Sequence, residues 1–265
     1  MAIPGKAALL NELREQVARI EGHGDARARP TLAFGLPVLD DGLPHGGLAR
    51  GALHEVAGAG ANVEHASAAA LLVAGILARA GGPVLWASEH FDLFAPALAG
   101  VGLPGSRVVH VEAGRSVLLA MEEGLRHRGL AGVVGEYSGR LSLTASRRLQ
   151  LAAEASGAMA FLIRRGPKLN DLLLSEPTAA VTRWKVACLP SPPPLPHSPE
   201  TPGLGRARWQ LDLMRCRGGM PGSWILEACD AQGHLALPAD LAHRPAATAP
   251  SRFHRRAAAD RAAAA

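Results

Sequence analysis

Between residues 51 and 163, apolar residues gather in short runs of about five, separated by longer Ala/Leu-rich stretches. That alternation predicts βα units feeding a largely parallel sheet, an α/β fold. Residues 52–56 (ALHEV) read as a strand that runs into Gly58-Ala59-Gly60. Residues 66–79 follow as a helix that is apolar nearly all round, and a helix of that kind is buried. Residues 83–87 form the next strand, with Ser88 as the cap of a helix holding Phe91, Leu93 and Phe94. Strands at 107–111, 129–134 (ending at Gly135-Glu136) and 158–163 then alternate with helices at 118–127 and 144–156.

The pattern changes on both sides of this block. Leu9, Leu10, Leu13, Val17 and Ile20 recur at helical spacing among charged residues, so residues 1–24 read as an amphipathic helix. It either folds back on its own domain or docks on a neighbouring subunit. Residues 25–50 read as linker and lead-in, and residues 51–240 as the core. Late in the core, residues 182–189, 208–214 and 223–228 have the look of an antiparallel meander. Seven prolines in residues 190–205 make that stretch an exposed loop, being too stiff for a helix or a central strand. Residues 241–265 have little apolar material to order them and read as a basic, disordered tail.

The net charge of +5 favours a polyanion only weakly. Cys188, Cys216 and Cys229 have no CxxC spacing, which argues against a zinc site and a disulfide framework and suits a reducing cytoplasm. His54, His65 and His90 fall in different elements, so no metal is expected, and no nucleophile elbow supports Ser/His/Asp catalysis. Neither a secretory leader nor a membrane span is expected, since Gly75 and Arg79 interrupt the apolar stretch at 66–80.

The strand–Gly58-Ala59-Gly60–helix arrangement is the setting of a phosphate-binding loop. Such a loop needs glycines that turn backbone N–H groups toward phosphate, a lysine for the β/γ charge and a hydroxyl for magnesium. Counted from Gly58, the pattern GxxxxGK[ST] places Val63 at the second glycine, Glu64 at the lysine and His65 at the hydroxyl. All three chemical positions fail. A carboxylate at the lysine position repels a triphosphate. In the first turn of a helix, however, it satisfies the positive end of the dipole, as a bound phosphate would. Taken alone, Gly58 and Gly60 read better as a simple tight turn.

The order of the surrounding segments resembles the RecA/RadA family over roughly residues 30–236. Residues 31–40 and 46–51 (GGLARG) look like the RecA lead-in before the first core strand. Residues 86–92 (WASEHFD) resemble the segment carrying the glutamate that positions the attacking water, which would be Glu89. Residues 133–136 (VVGE) resemble the second acidic strand end, with Glu136 as a shifted or replaced acid. Both are vestigial without the lysine and hydroxyl, and Glu89 then reads as a first-turn carboxylate on a capped helix.

Residues 146–154 (SRRLQLAAE), the strand end Leu162-Ile163-Arg164-Arg165, residues 181–186 (VTRWKV), 206–209 (RARW) and 222–224 (GSW) narrow the resemblance to the ImuA family. That resemblance implies a RecA-like core, with a mostly parallel central sheet flanked by helices and an antiparallel C-terminal meander. It also implies a non-enzymatic accessory protein of damage-induced translesion synthesis, with no cofactor. The implied partners are an ImuB-type protein and an error-prone polymerase III α subunit, with RecA and DNA as further candidates and no membrane.

The loop from residue 166 onward, which corresponds to a DNA-contacting loop of RecA proteins, has no aromatic to stack a base. Arg252, Arg255 and Arg256 in the tail are the better candidates for contact with DNA or an acidic partner, and a merely solubilising tail is the competing reading. Two other functional classes remain open. One is an atypical ATP- and DNA-binding recombinase using Arg50, Arg79 or Lys168 as the missing charge; the other is a SulA-like cell-division inhibitor.

Overall fold

The computed structural model describes residues 30–60, 62–166, 176–195, 198 and 200–238, without the side chains of residues 62–64. The amphipathic helix at 1–24 and the tail with Arg252, Arg255 and Arg256 lie outside the described residues, as does Lys168.

The chain enters through a lead-in that is closed by one carboxylate. Strand β1 (Thr31–Leu32) pairs antiparallel with β2 (Leu48–Ala49), and a short helix, α1 (Pro37–Asp40), lies between them. The Asp40 carboxylate accepts the amide N–H groups of Phe34, Gly35 and Leu36 at 2.7, 2.9 and 3.1 Å. Three otherwise idle donors are thereby satisfied, and Phe34 and Leu39 are held in the core.

The remaining strands are β3 (Leu53–Gly58), β4 (Val84–Ser88), β5 (Val108–Glu112), β6 (Gly132–Tyr137), β7 (Met159–Arg164), β8 (Thr182–Leu189), β9 (Arg208–Cys216) and β10 (Gly222–Glu227). They form one eight-stranded sheet in the order β10-β9-β8-β3-β7-β6-β4-β5. Pairing is parallel from β8 through β5 and antiparallel along β8–β9–β10. The sheet is therefore mostly parallel and closes in a C-terminal antiparallel meander.

Period-2 alternation sorts each strand between two layers. Val56, Trp86, Val134, Phe161 and Trp184 face a core built by α2 (Asn62–Ala80) and α3 (Ala95–Gly100), while Leu53, Ala87, Val133, Ala160 and Leu162 face α4 (Val117–Leu125) and α5 (Leu143–Ser156). Helix α2 has Ala68, Ala69, Leu72, Val73 and Leu77 buried, as its all-round apolar sequence requires. Helix α5 begins at Ser142, whose hydroxyl accepts the Ala145 amide at 3.1 Å, and ends at Gly157 with φ +80.

One element departs from the sequence expectation. No helix follows Ser88; residues 89–94 are irregular, and α3 starts only at Ala95, with Pro96 in its first turn. Proline is favoured at that position because its missing N–H would be unpaired there anyway, and it fixes the helix start beyond the aromatics. Phe91 and Phe94 are consequently exposed at 60% and 70%, and Leu93 alone of the three packs against the core.

Candidate functional site

The turn after β3 is where a RecA-type core would hold phosphate. Helix α2 begins at Asn62, which places Val63, Glu64 and His65 in its first turn. The Ala59 amide donates to the Val186 carbonyl at 2.8 Å, carrying the β3–β8 ladder one residue beyond the strand end. Gly58 has no room for a side chain, because a Cβ there would stand 2.9 Å from the His65 Cβ and 3.0 Å from its carbonyl carbon. Gly60 takes φ +124, a conformation glycine tolerates, and a Cβ on it would lie 3.4 Å from the His65 ring.

His65 therefore fills the turn instead of offering it a hydroxyl. Its Nδ1 accepts the Cys188 amide N–H at 3.1 Å, which ties the first turn of α2 to β8 and leaves the ring proton on Nε2. The residues here do not fit a magnesium–triphosphate: the lysine position carries Glu64, the hydroxyl position an imidazole already engaged by backbone, and the second-glycine position a β-branched Val63. Of the three substitute cations, the two among the described residues do not supply the charge. Arg50 and Arg79 are spent on the Ala80 and Ala33 carbonyls, toward the opposite end of α2.

The second acidic position lies two strands away, with β7 between. Glu136 is inside β6, 3% exposed, and on the same face of the sheet as Trp86. Its Oε1 accepts the Trp86 indole N–H at 2.7 Å, and its Oε2 lies 3.0 Å from Arg165 Nε. Arg165 in turn bridges to Asp92 in the irregular segment. Burial pushes the Glu136 carboxyl above its usual range and outweighs the opposing pull of Arg165 and of the indole N–H. Glu89, one residue past β4, is partly buried and begins no helix, so the first-turn role expected for it does not hold.

A further polar group was not anticipated from the sequence as a unit. Glu55 is fully buried in the middle of β3, where its Oε1 accepts the Thr178 hydroxyl and lies 3.2 Å from Arg183, while its Oε2 lies 3.7 Å from Arg164. Arg164 also donates to the Gly139 carbonyl at 3.0 Å, and burial lowers its pKa. A carboxylate inside the strand LHEVAG, apolar but for it and His54, was the available signal, since a buried charge demands partners. The neighbouring His54 is likewise buried, with Nε2 at 2.9 Å from the Ala49 carbonyl and Nδ1 at 2.8 Å from the Thr182 hydroxyl. Desolvation lowers its pKa to about 4.

Among the described residues no group of three His, Cys, Asp or Glu side chains could hold a metal ion, and no helix is long and apolar enough to cross a membrane.

An order of strands with β3 central, a glycine turn leading into a buried helix and an acid near the end of β6, two strands away, defines a RecA-like core. The crystal structure of the RadB recombinase shares this fold: it covers 78% of this chain and 99% of its own, with a TM-score of 0.54 at 15% identity. The chain is 40% identical over 225 residues to Protein ImuA of Caulobacter vibrioides, in each of two strains, covering 81% of this chain and 90% of the relative. It belongs to the ImuA family and is a RecA-like protein related to DNA damage. No protein-family model matches the chain.

Proposed function

We propose that this chain is a non-hydrolysing, cytoplasmic RecA-like accessory protein of damage-induced translesion DNA synthesis and mutagenesis, needing no cofactor. It joins an ImuB-type protein to an error-prone polymerase III α subunit. The observation that carries the reading is His65. Its Cβ and backbone close on Gly58, and its ring lies beside Gly60 and accepts the Cys188 amide, so the turn that would cradle phosphate is used to lock α2 onto the sheet. A core maintained with its chemistry replaced by packing is a core kept for its surface. The tail arginines Arg252, Arg255 and Arg256 offer a second means of engaging DNA or an acidic partner.

The test is gel filtration of the purified chain mixed with an ImuB-type protein of the same organism, with and without residues 241–265. A co-eluting complex supports the scaffold. No complex with either form overturns it, and so does tight, magnesium-dependent ATP binding by the isolated chain, which would revive the recombinase-like alternative.

A further inference from the structure

Helix α5 carries a stripe that faces away from both the sheet and α4. Ser146, Leu149, Gln150 and Ala153 are buried, and Ala145, Arg148 and Ala152 line the depressions toward α4. Arg147, Leu151 and Glu154 take the remaining flank at i, i+4 and i+7, and all three are exposed, Leu151 at 64%. Arg147 has no carboxylate partner among the described residues, and Glu154 accepts the Gln150 side-chain amide at 2.9 Å.

The lead-in chain is anchored at the foot of that stripe. Pro30 and Arg50 adjoin Glu154 and Gly157. The Pro30 carbonyl accepts the Arg50 amide at 2.8 Å, and Gly51 is packed so closely on the end of α5 that a Cβ there would lie 3.3 Å from the Ala153 carbonyl oxygen. The segment with Leu9, Leu10, Leu13, Val17 and Ile20 is therefore tied to the chain beside α5. Ile20 precedes Pro30 by ten residues, a tether of at most about 36 Å, and Gly22 and Gly24 let it reverse direction. As a helix, residues 9–20 are about 18 Å long, against about 21 Å for the 14 residues of α5. Both run toward Pro30, so the shortest tether sets them side by side and parallel. In that orientation the charges match. Glu12 and Arg19 are seven residues apart, as are Arg147 and Glu154, with the signs reversed. In register, Glu12 meets Arg147, Arg19 meets Glu154, and Leu13 and Val17 fall on either side of the level of Leu151. The antiparallel arrangement would set Glu12 against Glu154 and Arg19 against Arg147, like charge on like.

We propose that the amphipathic segment of residues 9–20 docks along this flank of α5 in its own chain, with its apolar stripe on Leu151 and with Glu12 and Arg19 paired to Arg147 and Glu154. A tether this short holds the segment near its own α5 at an effective concentration on the order of millimolar, which favours the same chain over a second copy. The inference does not rest on the scaffold reading, and it is tested on the isolated full chain.

Val17→Cys and Leu151→Cys are introduced together with Cys188→Ser, which removes the exposed native thiol. Mild oxidation should give a disulfide within one chain, seen as a faster-migrating monomer on a non-reducing gel and assigned by peptide mass spectrometry. Val17→Cys with Leu119→Cys, a similarly exposed site on α4, should crosslink at least tenfold more slowly. Arg147→Glu should slow the 17–151 crosslink at least fivefold, and adding Glu12→Arg should restore it; circular dichroism checks that each variant is folded. No 17–151 crosslink, or one no faster than 17–119, overturns the proposal. A 17–151 crosslink that Arg147→Glu leaves unchanged overturns the pairing and with it the register. A crosslink found only between chains assigns the flank to a second copy. Protection of residues 9–20 from amide exchange that appears only when the ImuB-type protein is added assigns the segment to a partner, and either of these two outcomes overturns docking within the chain while leaving the scaffold standing.

Discussion

The ends of β3 and β6 are both places where a RecA-type core would carry nucleotide chemistry, and they differ from such a site in opposite ways. After β3 the residue types themselves are wrong, and His65 closes the turn by packing on two glycines and binding a backbone amide. At β6 the acid is retained, but the Trp86 indole and Arg165 occupy both its oxygens. At one end the residue types differ from those of a phosphate site, and at the other the acid is present with both oxygens engaged. In each case the polar atoms that would face a ligand face the protein's own sheet, which is how a buried polar group avoids its desolvation penalty.

Four measurements can break or sharpen this comparison. The largest effect is expected in β3 itself: Glu55→Ala leaves Arg164 and Arg183 buried without their carboxylate and should cost about 3–5 kcal/mol in urea unfolding. A loss under about 1 kcal/mol would mean the cluster is hydrated and contributes little to holding β3 in the sheet. Next is acid sensitivity. His54 titrates at about 4 in the folded chain against an ordinary 6.5, so the unfolded chain takes up the proton first. The stability it contributes is complete above pH 6.5 and is lost as pH falls toward 4, on the order of 3 kcal/mol. Replacing His54 with Gln should flatten that part of the stability–pH curve.

At β6, Glu136→Ala strands the Trp86 indole N–H and should cost about 1–3 kcal/mol. Glu136→Gln keeps an acceptor for the indole and removes a buried charge, so its cost should be under about 1 kcal/mol. Equal losses for the two would show that the Arg165 ion pair, not the indole, holds the acid in place. The smallest effect is expected from rebuilding the turn alone. The triple change Val63→Gly, Glu64→Lys, His65→Thr should give no ATP turnover, because Glu136 stays engaged; turnover in that variant would show that only the first difference matters.

Much of the architecture was legible because hydrophobic period decides it. The five core strands and the all-apolar α2 follow from which residues can be buried, and the proline-rich stretch could not enter the sheet. The mismatch of Val63, Glu64 and His65 with the residue types of a phosphate loop was equally readable, being a matter of residue type at fixed spacing. The segment after Ser88 was misread because Phe91, Leu93 and Phe94 have a helical spacing, and only Pro96 signals the later start. What His65 does instead was not readable. Its partner, the Cys188 amide, is 123 residues away and is a backbone group that no side-chain pattern announces. The Trp86–Glu136–Arg165–Asp92 chain was hidden for the same reason, since it joins two strands, the residue just past β7 and a loop.

The position of β3 bears on how the chain is made. Its neighbours are β7 and β8, with Leu53 opposite Ala160 and His54 opposite Thr182. A ribosome must therefore synthesise more than a hundred further residues before the middle strand of the sheet has either flank. Until then the apolar β3 and α2 emerge without their partners, and folding is slow because long loops must close before any pairing rewards them. Fragments that stop short of β8 should accumulate in inclusion bodies or be degraded, whatever the fate of the nucleotide turn.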